Sequence, residues 1–199
     1  MTFQVENLAC RRGMRMVFRN ISFSLRSGEV LLFTGPNGSG KSSLLRVLAG
    51  LLPPQQGDIR WNGQAIDMAD HRSRLHYLGH YDAVKPELTV AEMLDYWRVL
   101  QSGSEALSPV FGLEELKKAS IRYLSAGQKR RLALARLVVK QAPLWLLDEP
   151  LTSLDQAGQE LLKDLVRQHR TAGGMAIIAT HHGMDLPGAQ QLSFAGVSA

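Results

Sequence analysis

Hydrophobic and polar positions follow two periods along this chain, and the changes between them mark out its elements. Ile21, Phe23 and Leu25 alternate with Asn20, Ser22 and Ser24, the two-residue period of a half-buried strand. Residues 2–8 and 16–25 are predicted as strands, with Arg11-Arg12-Gly13 in the turn between them. Gly57-Asp58-Ile59-Arg60-Trp61-Asn62-Gly63 reads as a short strand closed by an Asn-Gly turn, and residues 74–79 read as another strand. Three runs are apolar almost throughout: 29–34, 143–148 and 176–180. Strands of that kind belong in a parallel sheet covered on both faces. Helical spacing takes over after Lys41, through Leu44, Leu45, Val47 and Leu48, and Gly50 with Pro53-Pro54 ends it. From Pro86 the character changes. Thr89-Val90-Ala91-Glu92 is a capping box that opens an amphipathic helix to Leu100. Gln101-Ser102-Gly103-Ser104 reads as a loop and residues 109–119 as a helix. A strong helix is predicted from Gln128 to Lys140, with Leu132, Leu134, Ala135 and Val138 inward, and another over 156–170, with Leu161, Leu162, Leu165 and Val166 on one side. Gly173-Gly174 breaks the latter, and Gln191 to Val197 reads as a last strand. The sequence shows no internal repeat, low-complexity segment or linker.

The junction of the first apolar strand and the first helix carries the chemistry. Gly35-Pro36-Asn37-Gly38-Ser39-Gly40-Lys41-Ser42 fits G-x-x-x-x-G-K-[ST] without a gap, and Ser43 follows it. Strand, glycine loop, helix is the context that turns this match into a phosphate-binding loop. Successive N–H groups in such a loop point at one anion, and the helix N-terminus adds its positive end. Lys41 can reach the β- and γ-phosphates of a nucleotide, and the Ser42 hydroxyl can ligate Mg²⁺.

Composition narrows the partners only a little. A hydrophobic fraction of 45% over 199 residues is enough for a core, and no apolar run approaches the roughly 20 residues of a membrane helix. Met1 to Glu6 lack the layout of a signal peptide, and Cys10 is the only cysteine, which suits a reducing compartment. A net charge of +5 suits nucleic acid, anionic lipid or phosphate ligands alike. Lys129-Arg130-Arg131 reads as a solvated helix face rather than a binding patch.

Two further stretches gain meaning beside the glycine loop. Asp148, at the carboxyl end of an apolar strand, can hold a Mg²⁺ shell, and Glu149 sits where a base could polarise an attacking water. Tyr123-Leu124-Ser125-Ala126-Gly127-Gln128 is a small turn opening a basic helix. Taken alone, Ser125 is an ordinary N-cap and His181 an ordinary capping or core histidine.

Together, over nearly the whole chain and in order, these motifs resemble the ATPase subunits of ABC transporters. The resemblance implies an α/β P-loop NTPase fold: one domain over 1–199 with a RecA-like core, an N-terminal antiparallel β subdomain and a helical subdomain at about 86–140. It implies ATP and Mg²⁺ bound by the glycine loop, Ser42 and Asp148, and Glu149 and His181 as the catalytic pair. Leu124-Ser125-Ala126-Gly127-Gln128 matches a Leu-Ser-Gly-Gly-Gln signature that, in the family, comes from a second subunit. Ser125, Gly127 and Gln128 would then contact the γ-phosphate, and Ser153-Leu154-Asp155 matches the loop linking the two sites. A homodimer of ATPase subunits, separate transmembrane permease subunits, no nucleic acid, and a peripheral place on the cytoplasmic side of the bacterial inner membrane are implied with it. Three departures stand out. Arg12 stands near where an adenine-stacking aromatic is expected, and the second signature glycine is Ala126. His80 replaces the usual glutamine, either as a ligand in the metal shell or as a contact to the transporter. The short length, Gly79-His80 and the Ser-Ala-Gly signature are similar to the ATP-binding subunits of bacterial cytochrome c maturation systems, which serve haem export or haem-chaperone release. No haem site accompanies that likeness: His71, His76, His80 and His182 have no cysteine partner. Two other readings remain: a soluble ATPase of the same type acting on nucleic acid or ribosomes, and a regulatory nucleotide-binding module without turnover.

Overall fold

The structure is a computed structural model that describes residues 1–100, 111–181 and 184–193. The chain forms two compact units. The first comprises Met1–Gly79, Ala142–Pro150 and Val166–Ala199 and holds two sheets. Strands β1 (Thr2–Arg12), β2 (Arg15–Arg26), β4 (Gln56–Trp61) and β5 (Gln64–Ala65) make an antiparallel sheet in the order β2-β1-β4-β5. The Asn62-Gly63 turn closes the β4–β5 hairpin with both residues at positive φ, 49° and 80°, the type I′ geometry that suits strand twist. β1 and β2 run further than their alternation predicts. Arg12 faces Arg15 across the ladder, so Arg11 and Arg12 are strand residues and the turn shrinks to Gly13-Met14. Three register shifts in this ladder interrupt the alternation that marks a strand in sequence.

The second sheet is wholly parallel, with β3 (Val30–Thr34), β6 (Leu75–Leu78), β7 (Leu144–Asp148), β8 (Met175–Thr180) and β9 (Gln190–Ser193) in the order β6-β7-β8-β3-β9. Every residue of β7 and β8 is buried, as their unbroken apolar runs require. Helix α1 (Lys41–Leu48) packs on β7 and β8, and Phe3, Leu25, Phe33, Leu44, Leu48 and Ile177 belong to one core cluster. The short helix α2 (Met68–Ser73), with Asp67 capping its N-terminus, places the buried His71 ring parallel to Phe3 of that cluster at 6.0 Å between centroids.

The buried His71 and the half-buried His169 give this unit a pH dependence. His71 Nδ1 accepts from Trp61 Nε1 at 2.9 Å, so Nε2 carries the proton and donates to the Leu48 carbonyl at 2.6 Å. His169 stacks on Trp145 at 3.9 Å between ring centroids, and its Nε2 lies 3.1 Å from the Met175 carbonyl. Burial lowers both from the ordinary value, His169 to about 4. The unfolded chain therefore takes up a proton first. Stability is complete above about pH 6.5 and falls as pH drops toward 4, by at most about 1.4 kcal/mol per pH unit for each histidine. Urea unfolding of the wild type and of His169→Gln should show a shallower slope in the variant between pH 7.5 and 5.5. Equal slopes would show that His169 is not the group responsible.

The second unit comprises His80–Gln141 and Leu151–Leu165. It contains α3 (Val90–Leu100), α4 (Ala126–Val139), which packs on α3, and the first part of α5 (Gln156–Thr171). The capping box at the start of α3 forms as read: Thr89 N donates to Glu92 Oε2 at 2.7 Å and Glu92 N to Thr89 Oγ1 at 3.3 Å. Three expectations need correction. Residues 111–119 form no α-helix; Phe111 and Gly112 both have positive φ, and a single 3-10 turn, Glu114–Leu116, follows. On α4, Leu132, Leu134 and Ala135 are buried but Val138 is 41% exposed, and Ala133, Leu137 and Val139 complete the inner surface. The basic run Lys129-Arg130-Arg131 is not a solvated face. Arg130 is 3% exposed and paired with Asp82 at 3.1 Å, and Arg131 pairs with Asp155. A buried guanidinium holds its place only with such a partner. The predicted loop 101–104, and residues 109–110 and 194–197 of two predicted elements, lie outside the described residues. Among the described residues no helix is long and apolar enough to cross a membrane.

Candidate functional site

Sheet order places the candidate residues of the first unit together. β7, β8 and β3 are adjacent, with Asp148 level with Ala179 and Thr180 level with Thr34. Asp148-Glu149, His181 and the loop from Gly35 therefore leave the sheet at one edge, the carboxyl ends of parallel strands, where ligands of open α/β sheets sit. Gly40 caps α1 at φ 109°, a conformation open to glycine, and no side chain caps the helix start. The first-turn N–H groups of α1 thus have no side-chain acceptor, which suits an anion. Ser39 Oγ is buried in the loop with no partner among the described residues, a donor that a phosphate oxygen would satisfy. Lys41 Nζ donates to the carbonyls of Gly35 and Pro36 at 2.7 and 3.0 Å. Pro36, Asn37 and Gly38 are exposed, whereas Ser42 and Ser43 are half-buried.

Ser42 Oγ donates to Asp148 Oδ1 at 3.0 Å, and Asp148 is 1% exposed. A hydroxyl and a carboxylate in contact are the hard oxygen donors that Mg²⁺ accepts alongside water and phosphate. The donor set therefore fits that ion. Among the described residues no group of three or more His, Cys, Asp or Glu side chains is placed to hold a metal by itself.

Glu149 is held in a special place. Its φ of 46° is left-handed, uncommon for a residue with a Cβ and frequent at functional sites. His181 Nδ1 lies 2.8 Å from its Oε2, and the His181 N–H donates to the same oxygen at 3.3 Å. A carboxylate only accepts, so Nδ1 carries the proton. The other oxygen stands 3.9 Å from Lys41 Nζ. Glu149, His181 and Lys41, read as separate motifs in sequence, form one chain of contacts.

The remaining candidates belong to other elements. Arg12 ends β1 and is exposed. Ser125, Gly127, Gln128 and His80 belong to the second unit. Ser125 is the N-cap of α4 in a full capping box: its Oγ accepts from Gln128 N at 3.2 Å, and its N–H donates to Gln128 Oε1 at 2.9 Å. Ala126 is the first helical residue and is not among the positive-φ positions, so its methyl group is unstrained. Gly127 has no such latitude: a Cβ there would come within 2.8 Å of the Ser153 carbonyl oxygen. The His80 ring packs edge-on against Tyr81 at 5.7 Å. Sequence reading missed two contacts, Glu149 with His181 and Arg131 with Asp155. Both join residues far apart in the chain, and only their occurrence in two charged motifs hinted at them.

A parallel sheet whose glycine loop opens a helix, with an Asp-Glu pair and a histidine at the same edge, defines a P-loop nucleoside triphosphatase. The chain belongs to the ABC transporter family: that family's sequence profile, described as ABC transporter, matches residues 18–152. The cytochrome c biogenesis ATP-binding export protein CcmA of Paramagnetospirillum magneticum is 52% identical, over 96% of this chain and 93% of that protein. Its namesake from Rhodospirillum rubrum is 49% identical, over 96% of this chain and 84% of its own length. A solved structure of the ATP binding subunit of an ABC transporter superposes with a TM-score of 0.82 at 26% identity, covering 91% of this chain and 80% of the other.

Proposed function

We propose that this chain is the ATP-hydrolysing subunit of a transporter complex that serves cytochrome c biogenesis, powering haem export or the release of a haem chaperone. The observation that carries hydrolysis is Glu149, whose carboxylate stands between His181 and Lys41 at the mouth of the glycine loop. The names of relatives at 52% and 49% identity support the cytochrome c role. Gly35 to Ser43 cradle the phosphates, Lys41 neutralises the terminal ones, and Ser42 with Asp148 holds Mg²⁺. Ser42 and Asp148 would hold that ion, which would supply positive charge against the phosphate oxygens. Glu149 polarises the attacking water, and His181 holds the Glu149 carboxylate and meets the γ-phosphate. A second copy of the chain supplies Ser125, Gly127 and Gln128 to the same nucleotide, so that binding closes the dimer and hydrolysis reopens it. His80, beside the exposed Tyr81, fits a contact to separate membrane-spanning permease subunits better than a metal ligand, since Ser42 and Asp148 already provide two oxygens. The complex would sit on the cytoplasmic side of the inner membrane, with the whole chain acting as one ATPase domain. Nucleic acid is not a partner in this reading: Arg130 and Arg131 are engaged within the chain rather than presented to phosphates.

Phosphate release by the purified chain, with and without Mg²⁺, tests the proposal, and the base of the nucleotide is the informative variable. Arg12 is the candidate to lie on the purine, and a guanidinium plane stacks without reading base edges. ATP and GTP should therefore bind within about tenfold of each other, a gap of about 1.4 kcal/mol. Arg12→Tyr should keep or tighten binding, and Arg12→Ala should cost less than about 1 kcal/mol. A hundredfold preference for ATP in a titration would reveal an edge-reading contact and overturn the assignment to Arg12. Turnover that does not need Mg²⁺ would overturn the roles of Ser42 and Asp148.

A further inference from the structure

We infer that Arg131 is a positioning residue for the nucleotide site: it fastens the turn that opens α4, Leu124 to Gln128, to the loop Leu151 to Asp155, so that both are presented as one piece. The inference rests on the hydrolytic reading above, in which the turn meets a partner's nucleotide, and on the likeness of Ser153-Leu154-Asp155 to a loop that links the two sites.

Three contacts inside the second unit converge on this junction. Arg131 Nη2 donates to Asp155 Oδ2 at 2.6 Å and is shared with Oδ1 of the same carboxylate. Asp155 Oδ1 also accepts from Gly158 N at 3.0 Å, so the group that Arg131 grips caps the start of α5. Gly127 lies so close to the loop that a Cβ there would come within 2.8 Å of the Ser153 carbonyl oxygen, and Ser153 itself has a left-handed φ of 65°. A Cβ at Gly158 would stand 3.0 Å from Asp155 Oδ1 and 3.4 Å from Arg131 Nε, so glycine at that position leaves room for the pair.

The energetics fit positioning better than stabilisation. Asp155 keeps 64% of its side chain exposed and Arg131 23%. Ion pairs in such surroundings add little to stability. A planar guanidinium, however, fixes direction well, since its fork loses little freedom per hydrogen bond. Its contact with Asp155 is the largest cause holding that carboxyl below its usual range, so the pair is ionised at neutral pH. The neighbouring Arg130 pairs with Asp82, and Arg131 pairs with the loop's Asp155. If the loop or the turn moves on contact with phosphate, the other moves with it.

The test is a double-mutant cycle in steady-state phosphate release by the purified full chain. Arg131→Met removes the grip, and Asp155→Asn keeps a capping side chain while removing the charge. Each single variant should lower kcat about fivefold or more while KM for ATP stays within about twofold, the pattern of an interaction made after binding. The double variant should be no slower than the slower single, because both act through one contact. Arg131→Lys should recover part of the loss, and thermal unfolding should move little in any of them. Wild-type kcat in both single variants, or losses that multiply in the double, would overturn the inference alone. So would a fall in kcat that tracks a fall in melting temperature and that lysine does not rescue. A wild-type chain that releases no phosphate would overturn the hydrolytic reading and this inference with it.

Discussion

Glu149→Gln should leave ATP binding intact and cut turnover by about 10²- to 10⁴-fold, the usual contribution of a positioned general base. The substitution is close to isosteric, and both residues carry a Cβ, so the left-handed backbone at φ 46° is no more strained than before. The amide oxygen can still accept from His181 Nδ1, which now faces Glu149 Oε2 at 2.8 Å. Geometry is thus kept while basicity is lost. Because hydrolysis is what reopens the proposed dimer, the ATP-bound dimer should accumulate and be visible by size-exclusion chromatography. Lys41→Ala should behave in the opposite way, weakening ATP binding by about tenfold or more, the scale of one hydrogen bond to a charged group. Turnover by Glu149→Gln at the wild-type rate would remove Glu149 from the role of base and leave its strained backbone without a catalytic explanation.

The second large effect is expected one residue apart from a small one. Gly127→Ala places a methyl group within 2.8 Å of the Ser153 carbonyl oxygen, a backbone atom that cannot swing away as a side-chain tip could. Either the turn or the loop must shift. Overpacking of this kind costs about 1–3 kcal/mol. A displacement of around 1 Å in a segment that contacts the reacting group can cost about a hundredfold in rate. Turnover should therefore fall by about tenfold to a hundredfold, with a modest loss of thermal stability. Ala126→Gly, at the first residue of α4, should change stability by less than about 1 kcal/mol and turnover little, because Ala126 is already helical. The contrast between neighbours is the measurement. Equal effects on turnover would show that the Gly127–Ser153 approach does not govern the site.

The sequence was most informative where one physical demand acts alone. A glycine loop between an apolar strand and a helix has few alternatives, and β3, α1 and the buried β7 and β8 stand close to their predicted bounds. The Thr89–Glu92 box formed as read because it involves only its own turn. Legibility failed where distant residues decide. Val138 has the chemistry of a core residue but falls on the outer side of α4, and Arg130 has the chemistry of a surface residue but finds Asp82 inside. The expected helix over 109–119 had no periodic apolar face to hold it, and Phe111 and Gly112 turn left-handed instead. The candidate site divides in the same way. Its members were visible as motifs, whereas the contacts that join Glu149 to His181 and Arg131 to Asp155 span 32 and 24 positions in the chain.

The strand order bears on how the protein comes into being. β3, which leads into the glycine loop, is flanked by β8 (Met175–Thr180) and β9 (Gln190–Ser193), which lie far along the chain from it. During synthesis β3 and its loop emerge from the translation machinery with neither edge covered, and they acquire both neighbours only after the whole second unit has been made. An uncovered apolar strand is a site for unwanted pairing, and parallel sheets of distant strands form slowly. The glycine loop is thus made well before the two strands that secure it.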